Sequence, residues 1–400
     1  MQIKQENVSS VPDQRGRGWF KAVVLLISIC GSILMFLTLD WLHSRRILRA
    51  RLGSSSDPSC LVPDPVRHHG LKPNCSNVLH WGWDSFEVQT NSLGLRDQHI
   101  REVPRVGDRP RVLVLGDSFT FGMLAWGDSY VGQIAARFPQ YEILNGGVES
   151  YSPSNYYNTT RLLLAQGVEF DEVIVFIDIS DVSDEAHIYE DIDSFGAVTQ
   201  RAETKVKWRP SFIDHLLITN SLWQFCKRML VGLGLYGFAS VDAIYPVDAP
   251  RSAWTYKNSS ELSSFDKTRY SPLGVEGGIA KEKLKMTLMW EELKDRNIPI
   301  SVVVYPWPAQ VIHDTAESRQ VRIWREWCEG RCKRFVSLFP TFIAVKSECP
   351  RSEPGCWYLR YFIFGDIHYN LQGNAMVADV VSRSLVEAPP VKLQVRRSSQ

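Results

Sequence analysis

The chain opens on an apolar run and then settles into short apolar stretches separated by amphipathic ones. Residues 22–39 carry no charge, with Lys21 and Asp40 on either side and Trp19 and Trp41 at the two ends. About 20 apolar residues cross a bilayer as a helix, and tryptophans favour its interfaces, so the pattern predicts a membrane-spanning helix over 18–42. A cleaved signal peptide would have a shorter apolar core followed by a small-x-small site, which 40–43 does not offer. A buried soluble helix would rarely be apolar on every face.

Further along, 111–115 (Arg-Val-Leu-Val-Leu) reads as a buried strand. Val131, Ile134, Ala135 and Phe138 then fall at i, i+3, i+4 and i+7, which predicts a helix with Asp128 or Ser129 as its cap. Strands at 142–145, 173–177 and 300–305 alternate with helices at 154–166 and 279–295. Strands of this kind between helices predict an α/β fold: a mostly parallel sheet flanked by helices in three layers, behind one transmembrane helix. Ligands of such sheets bind at the carboxyl ends of the strands.

The expected organisation is a disordered tail at 1–17, the anchor at 18–42, and a juxtamembrane linker and lead-in at 43–105. A main domain at 106–386 and a polar tail at 387–400 follow. The stretch 186–275 interrupts the alternation and is too long for a plain loop, so it is an insertion with structure of its own. Its apolar part, 216–238, fits extra helices or a lid on the sheet, or else a helix lying on the membrane surface.

Composition narrows the function. With 45 Lys+Arg against 44 Asp+Glu the net charge is +1, and phosphate-driven nucleic-acid binding lacks the basic excess it needs. Lys4, Arg15, Arg17 and Lys21 before the apolar run equal Arg45, Arg46, Arg49 and Arg51 after it, so charge does not orient the anchor. The cysteines favour an extracytoplasmic domain, periplasmic or extracellular. Cys349 and Cys356 enclose a turn-rich loop, and Cys60 and Cys75 flank a proline-rich one, as disulfides do in oxidising compartments. Cys328 and Cys332 lack the second pair that a zinc site wants. No metal and no cofactor is expected.

The first strand runs into Leu115-Gly116-Asp117-Ser118-Phe119-Thr120-Phe121-Gly122. A serine on the turn after a buried parallel strand is held at the sheet's carboxyl edge, where a nucleophile belongs. Its proton needs a base, and a near-neutral imidazole suits that task when a carboxylate holds its other nitrogen. Asp366 and His368 are two apart after the last strand. Asp97/His99 and Asp184/His187 offer rival spacings, and His215 and His313 read as ordinary histidines.

Over most of residues 90–385 the sequence resembles the SGNH (GDSL-type) hydrolases. The residues concerned are Asn91-Ser-Leu-Gly-Leu-Arg96, the Gly116-Asp117-Ser118 block, Leu144-Asn145-Gly146-Gly147-Val148 with Tyr151-Ser152, and Gly365-Asp366-Ile367-His368-Tyr369-Asn370 with Gly373. The resemblance implies a Ser118–His368–Asp366 triad and an oxyanion hole built from the Ser118 and Gly147 N–H groups. Two departures stand out. The aspartate lies two residues before the histidine rather than three, a spacing similar to that of the membrane-associated alginate O-acetyltransferase-like branch. Ser180 stands where the family has an oxyanion-hole asparagine.

Asp178, Asp181, Asp184 and Glu185 crowd the same strand end, fit to bind a cation or a polyhydroxylated substrate, or simply to cap a loop. Tyr305-Pro306-Trp307-Pro308 is fit to stack on a sugar or line an acyl pocket, or to stiffen a turn. The expected activity is hydrolysis of O-acyl esters of a glycan or other small molecule. O-acetyl transfer to a polysaccharide and a non-catalytic glycan-binding subunit are the alternatives.

Overall fold

The computed structural model describes residues 14–53, 60–81, 84–192, 196–201, 229, 249–258, 260–262, 267–350, 355–363 and 366–393. The expected tail at 1–13, most of the insertion (202–248 apart from Met229, including His215 and Cys226), Gly365 and the end of the polar tail lie outside the described residues.

Helix α1 (Gln14–Gly53) contains the apolar segment Trp19–Trp41, with a mean hydropathy of 2.6. Its 23 residues are long enough to cross a bilayer, about 35 Å at the helical rise. It belongs to a unit separate from the sheet domain.

The sheet domain is built on eight strands in the order Cys332–Ser337 (β12), Ile300–Val304 (β11), Glu172–Ile177 (β8), Arg111–Leu115 (β6), Glu142–Asn145 (β7), Arg96–Asp97 (β5), Asp84–Thr90 (β4) and Ser76–Trp81 (β3). The five strands β6, β7, β8, β11 and β12 are mutually parallel. Alternate side chains of the central strands feed two cores, because successive Cβ atoms leave a strand on opposite faces. Val112, Val114, Ile174, Phe176 and Val303 enter one core, where the helices Tyr130–Arg137 (α3) and Leu371–Glu387 also bury Val131, Ile134, Val377 and Val381. Leu113, Leu115, Val173, Val175, Ile177, Val302 and Val304 enter the other, against Leu163, Met286, Met289 and Trp324 from three further helices. Two buried faces explain why runs such as 112–115, 173–177 and 302–304 are apolar without alternation. Ser129 caps α3 by accepting from the Gly132 N–H.

The lead-in departs from its expected role. β3 (Ser76–Trp81), β4 (Asp84–Thr90) and β5 (Arg96–Asp97) continue the main sheet in antiparallel pairing, β5 joining β7 through Arg96 and Asn145. A hairpin of β1 (Leu61–Asp64) and β2 (His68–Leu71) precedes them, and the Cys60–Cys75 disulfide closes it. Cys328–Cys332 and Cys349–Cys356 are also bonded. The insertion contributes a small sheet of β9 (Tyr189–Asp191) and β10 (Val198–Gln200) and a helix at Ala249–Tyr256. At the other end of the chain, Leu393 N–H donates to Asp171 Oδ1, so part of the expected polar tail is tied to the domain.

Candidate active site

Ser118 opens the four-residue helix α2 (Ser118–Phe121) directly after β6. Asp117 caps that helix, its Oδ1 accepting from the Phe119 N–H at 2.9 Å. The turn therefore lifts Ser118 to the carboxyl end of a strand whose five residues are all buried.

Asp366 and His368 arrive from a loop fastened at several points. Ile363 N–H donates to His368 O at 2.8 Å, and the Tyr358 hydroxyl accepts from the Asp366 N–H at 3.0 Å. Asn370 explains the motif that follows. Its Oδ1 accepts from the Gln372 and Gly373 N–H groups, capping the last helix, while its Nδ2 donates to the Arg360 and Phe362 carbonyls. Gly373 has no room for a side chain, since a Cβ there would sit 2.1 Å from Tyr361 O.

The structure brings Ser118, His368 and Asp366 into one line. Ser118 Oγ lies 2.8 Å from His368 Nε2, and His368 Nδ1 lies 2.6 Å from Asp366 Oδ1, which also accepts the His368 N–H at 3.0 Å. Burial pushes the Asp366 carboxyl up, but the His368 charge and hydrogen bonds from His368 and Trp81 outweigh it and hold the group below its usual range. An ionised carboxylate only accepts, so His368 Nδ1 donates to it and a neutral imidazole offers Nε2 as acceptor for the serine proton. The imidazole is 5% exposed, with Phe119 and Trp81 rings 4.6 and 5.3 Å from it.

The expected oxyanion donors are placed less simply. The Ser118 N–H makes no hydrogen bond among the described residues. Gly147 N–H donates to Asn145 Oδ1 at 2.9 Å, and the Ser180 hydroxyl donates to Asp178 Oδ1 at 2.7 Å. Gly147 does approach α2 as closely as a backbone can: a Cβ on it would lie 2.4 Å from Phe121 N.

Tyr305 and Trp307 do not reach a substrate surface. They are 1% and 3% exposed, and they serve the buried acids instead. The Tyr305 hydroxyl donates to Asp117 Oδ1 at 2.9 Å and faces Asp178 Oδ2 at 3.3 Å, while Trp307 Nε1–H donates to that same Asp178 oxygen at 2.7 Å. Burial, then the Asp178 charge, pushes Asp117 well above the usual carboxylate range.

Asp181 is wholly buried beneath, accepting from the Tyr156 hydroxyl at 3.0 Å. Burial and the charges of Asp178 and Glu282 push it well up, and its complete burial gives it no face toward a substrate. Asp184 is pushed up to about 7 by burial, whereas Glu185 is held ionised by Lys281 at 2.9 Å and by Ser152 and Ser154. Among the described residues no group of three or more His, Cys, Asp or Glu side chains is disposed to hold a metal ion.

The rival histidines lie elsewhere. Asp97 is taken by Asn91 and Arg101, His187 by the Ser271 carbonyl, and His313 packs on Tyr256.

Two residues at the site had no role assigned from the sequence. Trp81, on edge strand β3, donates its indole N–H to Asp366 Oδ2. Arg96, 1% exposed, donates to the carbonyls of Phe121, Gly122 and Leu124, pinning the chain just after the nucleophile. Arg96 stood within the Asn91–Arg96 resemblance, but its targets are some 25 residues away in sequence.

No family model matches the chain, and no curated protein matches it. Solved structures do resemble it. The psychrotrophic esterase EstA from Pseudoalteromonas sp. is 11% identical with a TM-score of 0.33, covering 69% of this chain and 97% of its own. A GDSL-like lipase from Bacteroides thetaiotaomicron is 9% identical with a TM-score of 0.36, covering 72% and 93%. AlinE4, an SGNH-hydrolase family esterase, is 15% identical with a TM-score of 0.31, covering 72% and 100%.

Proposed function

We propose that this chain is a membrane-anchored SGNH-type serine ester hydrolase acting on O-acyl esters, chiefly O-acetyl esters of a glycan or another small molecule. The observation that carries the reading is the unbroken line from Ser118 Oγ through the His368 imidazole to the Asp366 carboxylate. Ser118 Oγ attacks the ester carbonyl as His368 Nε2 takes its proton. The tetrahedral oxyanion collapses and expels the alcohol, which leaves with the proton that His368 returns. Water then repeats the sequence on the acyl-serine: His368 takes its proton, the carboxylic acid leaves, and Ser118 Oγ–H is restored. Asp366 stabilises the transient imidazolium without accepting its proton.

The Ser118 N–H is the oxyanion donor at hand. Gly147 N–H and the Ser180 hydroxyl join it by leaving Asn145 and Asp178.

In this reading 1–17 is a cytoplasmic tail, 18–42 the single-pass anchor, 43–105 the linker and lead-in, and 106–386 a catalytic domain outside the cytoplasm. The three disulfides favour that side of the membrane.

Labelling of the detergent-solubilised protein with a serine-reactive phosphonate tests the proposal. The wild type is expected to label and Ser118→Ala is not; equal labelling of both, or none of the wild type, sinks it. The Asp366-x-His368 spacing and the anchor favour a second reading, O-acetyl transfer to an exported or cell-surface polysaccharide, in which an acceptor hydroxyl replaces water. An acceptor glycan added to the acetylated donor separates the two. A third reading, a non-catalytic glycan-binding subunit, draws on the engaged Gly147 and Ser180 donors and predicts no labelling at all.

A further inference from the structure

Asp366 holds His368 with one carboxylate oxygen only. Its other oxygen, Oδ2, accepts the indole N–H of Trp81. A carboxylate can rotate about its Cβ–Cγ bond, and rotation would take Oδ1 off His368 Nδ1. A second donor fixed in space prevents that. The Trp81 ring also meets the imidazole edge-to-face, with the centroids 5.3 Å apart and the planes at 90°, so one side chain touches both partners.

Trp81 ends the outermost strand of the sheet, paired to β4 through Trp81 and Asp84. Cys75, one residue before that strand, is bonded to Cys60, and its N–H donates to Thr90 Oγ1 at 2.9 Å. The indole is therefore carried by a strand anchored by a disulfide, by its ladder and by a side-chain hydrogen bond.

We infer that Trp81 is a positioning residue of the proposed site: it fixes the Asp366 carboxylate in the rotamer that pairs with His368, and so makes the lead-in strand a working part of the triad. This rests on the triad reading above. The lead-in is thereby more than a spacer between anchor and catalytic domain, since the main domain alone holds all three triad residues but not the donor that sets one of them.

Trp81→Phe tests the inference, because it keeps an aromatic ring against His368 and removes only the N–H. A hydrogen bond to a charged group is worth a factor of about ten to a hundred. The rate of phosphonate labelling of Ser118 in the full chain is expected to fall about tenfold. Without the indole donor Asp366 Oδ1 is free to turn off His368 Nδ1, and the imidazolium loses part of its stabilisation. The acid limb of the labelling-rate profile is thus expected to move to lower pH, a change that a merely structural role would not produce. Glu149 interacts electrostatically with His368 from the loop after β7. Glu149→Gln combined with Trp81→Phe should leave the direction of the shift unchanged.

A second readout does not depend on reactivity: the low-field proton resonance of His368 Nδ1–H, assigned by its loss in His368→Gln. In Trp81→Phe it should move upfield or broaden by exchange. An unmoved resonance together with an unchanged labelling profile overturns the inference. A moved resonance in a protein whose wild type does not label supports the positioning role while refuting the proposed hydrolase.

Discussion

Tyr305→Phe is a sharp test of what lies under the nucleophile. The hydroxyl donates to Asp117 Oδ1 at 2.9 Å and faces Asp178 Oδ2 at 3.3 Å, inside a core where Tyr305 is 1% exposed. Phenylalanine keeps the ring and its 5.0 Å contact with Phe119 but leaves two buried acids short of a donor. The magnitude depends on pH. Burial and the Asp178 charge push Asp117 up, and the Tyr305 hydrogen bond opposes them.

An acid whose folded pKa is raised binds its proton more tightly when native, so stability falls as pH rises from the unfolded value, 3.8, through the folded one. Loss of the hydroxyl raises the folded value further and extends that fall. Well below the folded value, with a neutral Asp117 as acceptor, the variant should lose about 1 kcal/mol. Well above it, where the hydroxyl donates to a buried carboxylate, it should lose about 3 kcal/mol. For a domain of this size that corresponds to roughly 2 °C and 6 °C in Tm. Thermal scans of the detergent-solubilised protein in both pH ranges measure it. Equal small shifts in the two ranges would refute the reasoning. An unchanged Tm with a raised KM for a chromogenic acetate ester would place the hydroxyl against substrate instead.

Two further substitutions probe the site from either side. Asp366→Asn turns an acceptor facing His368 Nδ1 into an amide that favours the wrong tautomer, and turnover of a chromogenic ester should fall on the order of 10⁴-fold with Tm little changed. Gly147→Ala places a Cβ 2.4 Å from Phe121 N and 2.6 Å from the Thr120 carbonyl carbon. The short helix bearing Ser118 must then shift, lowering stability by about 1–3 kcal/mol and phosphonate labelling by about tenfold or more. Labelling at the wild-type rate would show that the close approach does not position the nucleophile.

The sequence by itself determined the central strands and helices and the serine, histidine and aspartate of the candidate triad. Runs such as 112–115 and 302–304 are apolar at every position because both faces of those strands are covered, and that pattern is local. Asn370 is legible for the same reason, since its cap acts two and three residues on; Gly373 answers to Tyr361, twelve residues earlier. The apolar span at Trp19–Trp41 needs only length and composition.

What sequence left open depended on contacts between distant segments. Tyr305 and Trp307 look like a recognition surface in the strand-end motif, yet tertiary packing turns both inward onto Asp117 and Asp178. Ser180 looks like an oxyanion donor, yet its hydroxyl donates to Asp178 two residues away, a local bond that competes with any role at the distant serine. Trp81 and Asp366 are 285 residues apart, and no periodicity or spacing links them. Local pattern constrains which way a side chain faces relative to its own strand or helix. Which hydrogen-bond partner it meets is decided only when the sheet brings an edge strand beside the last loop.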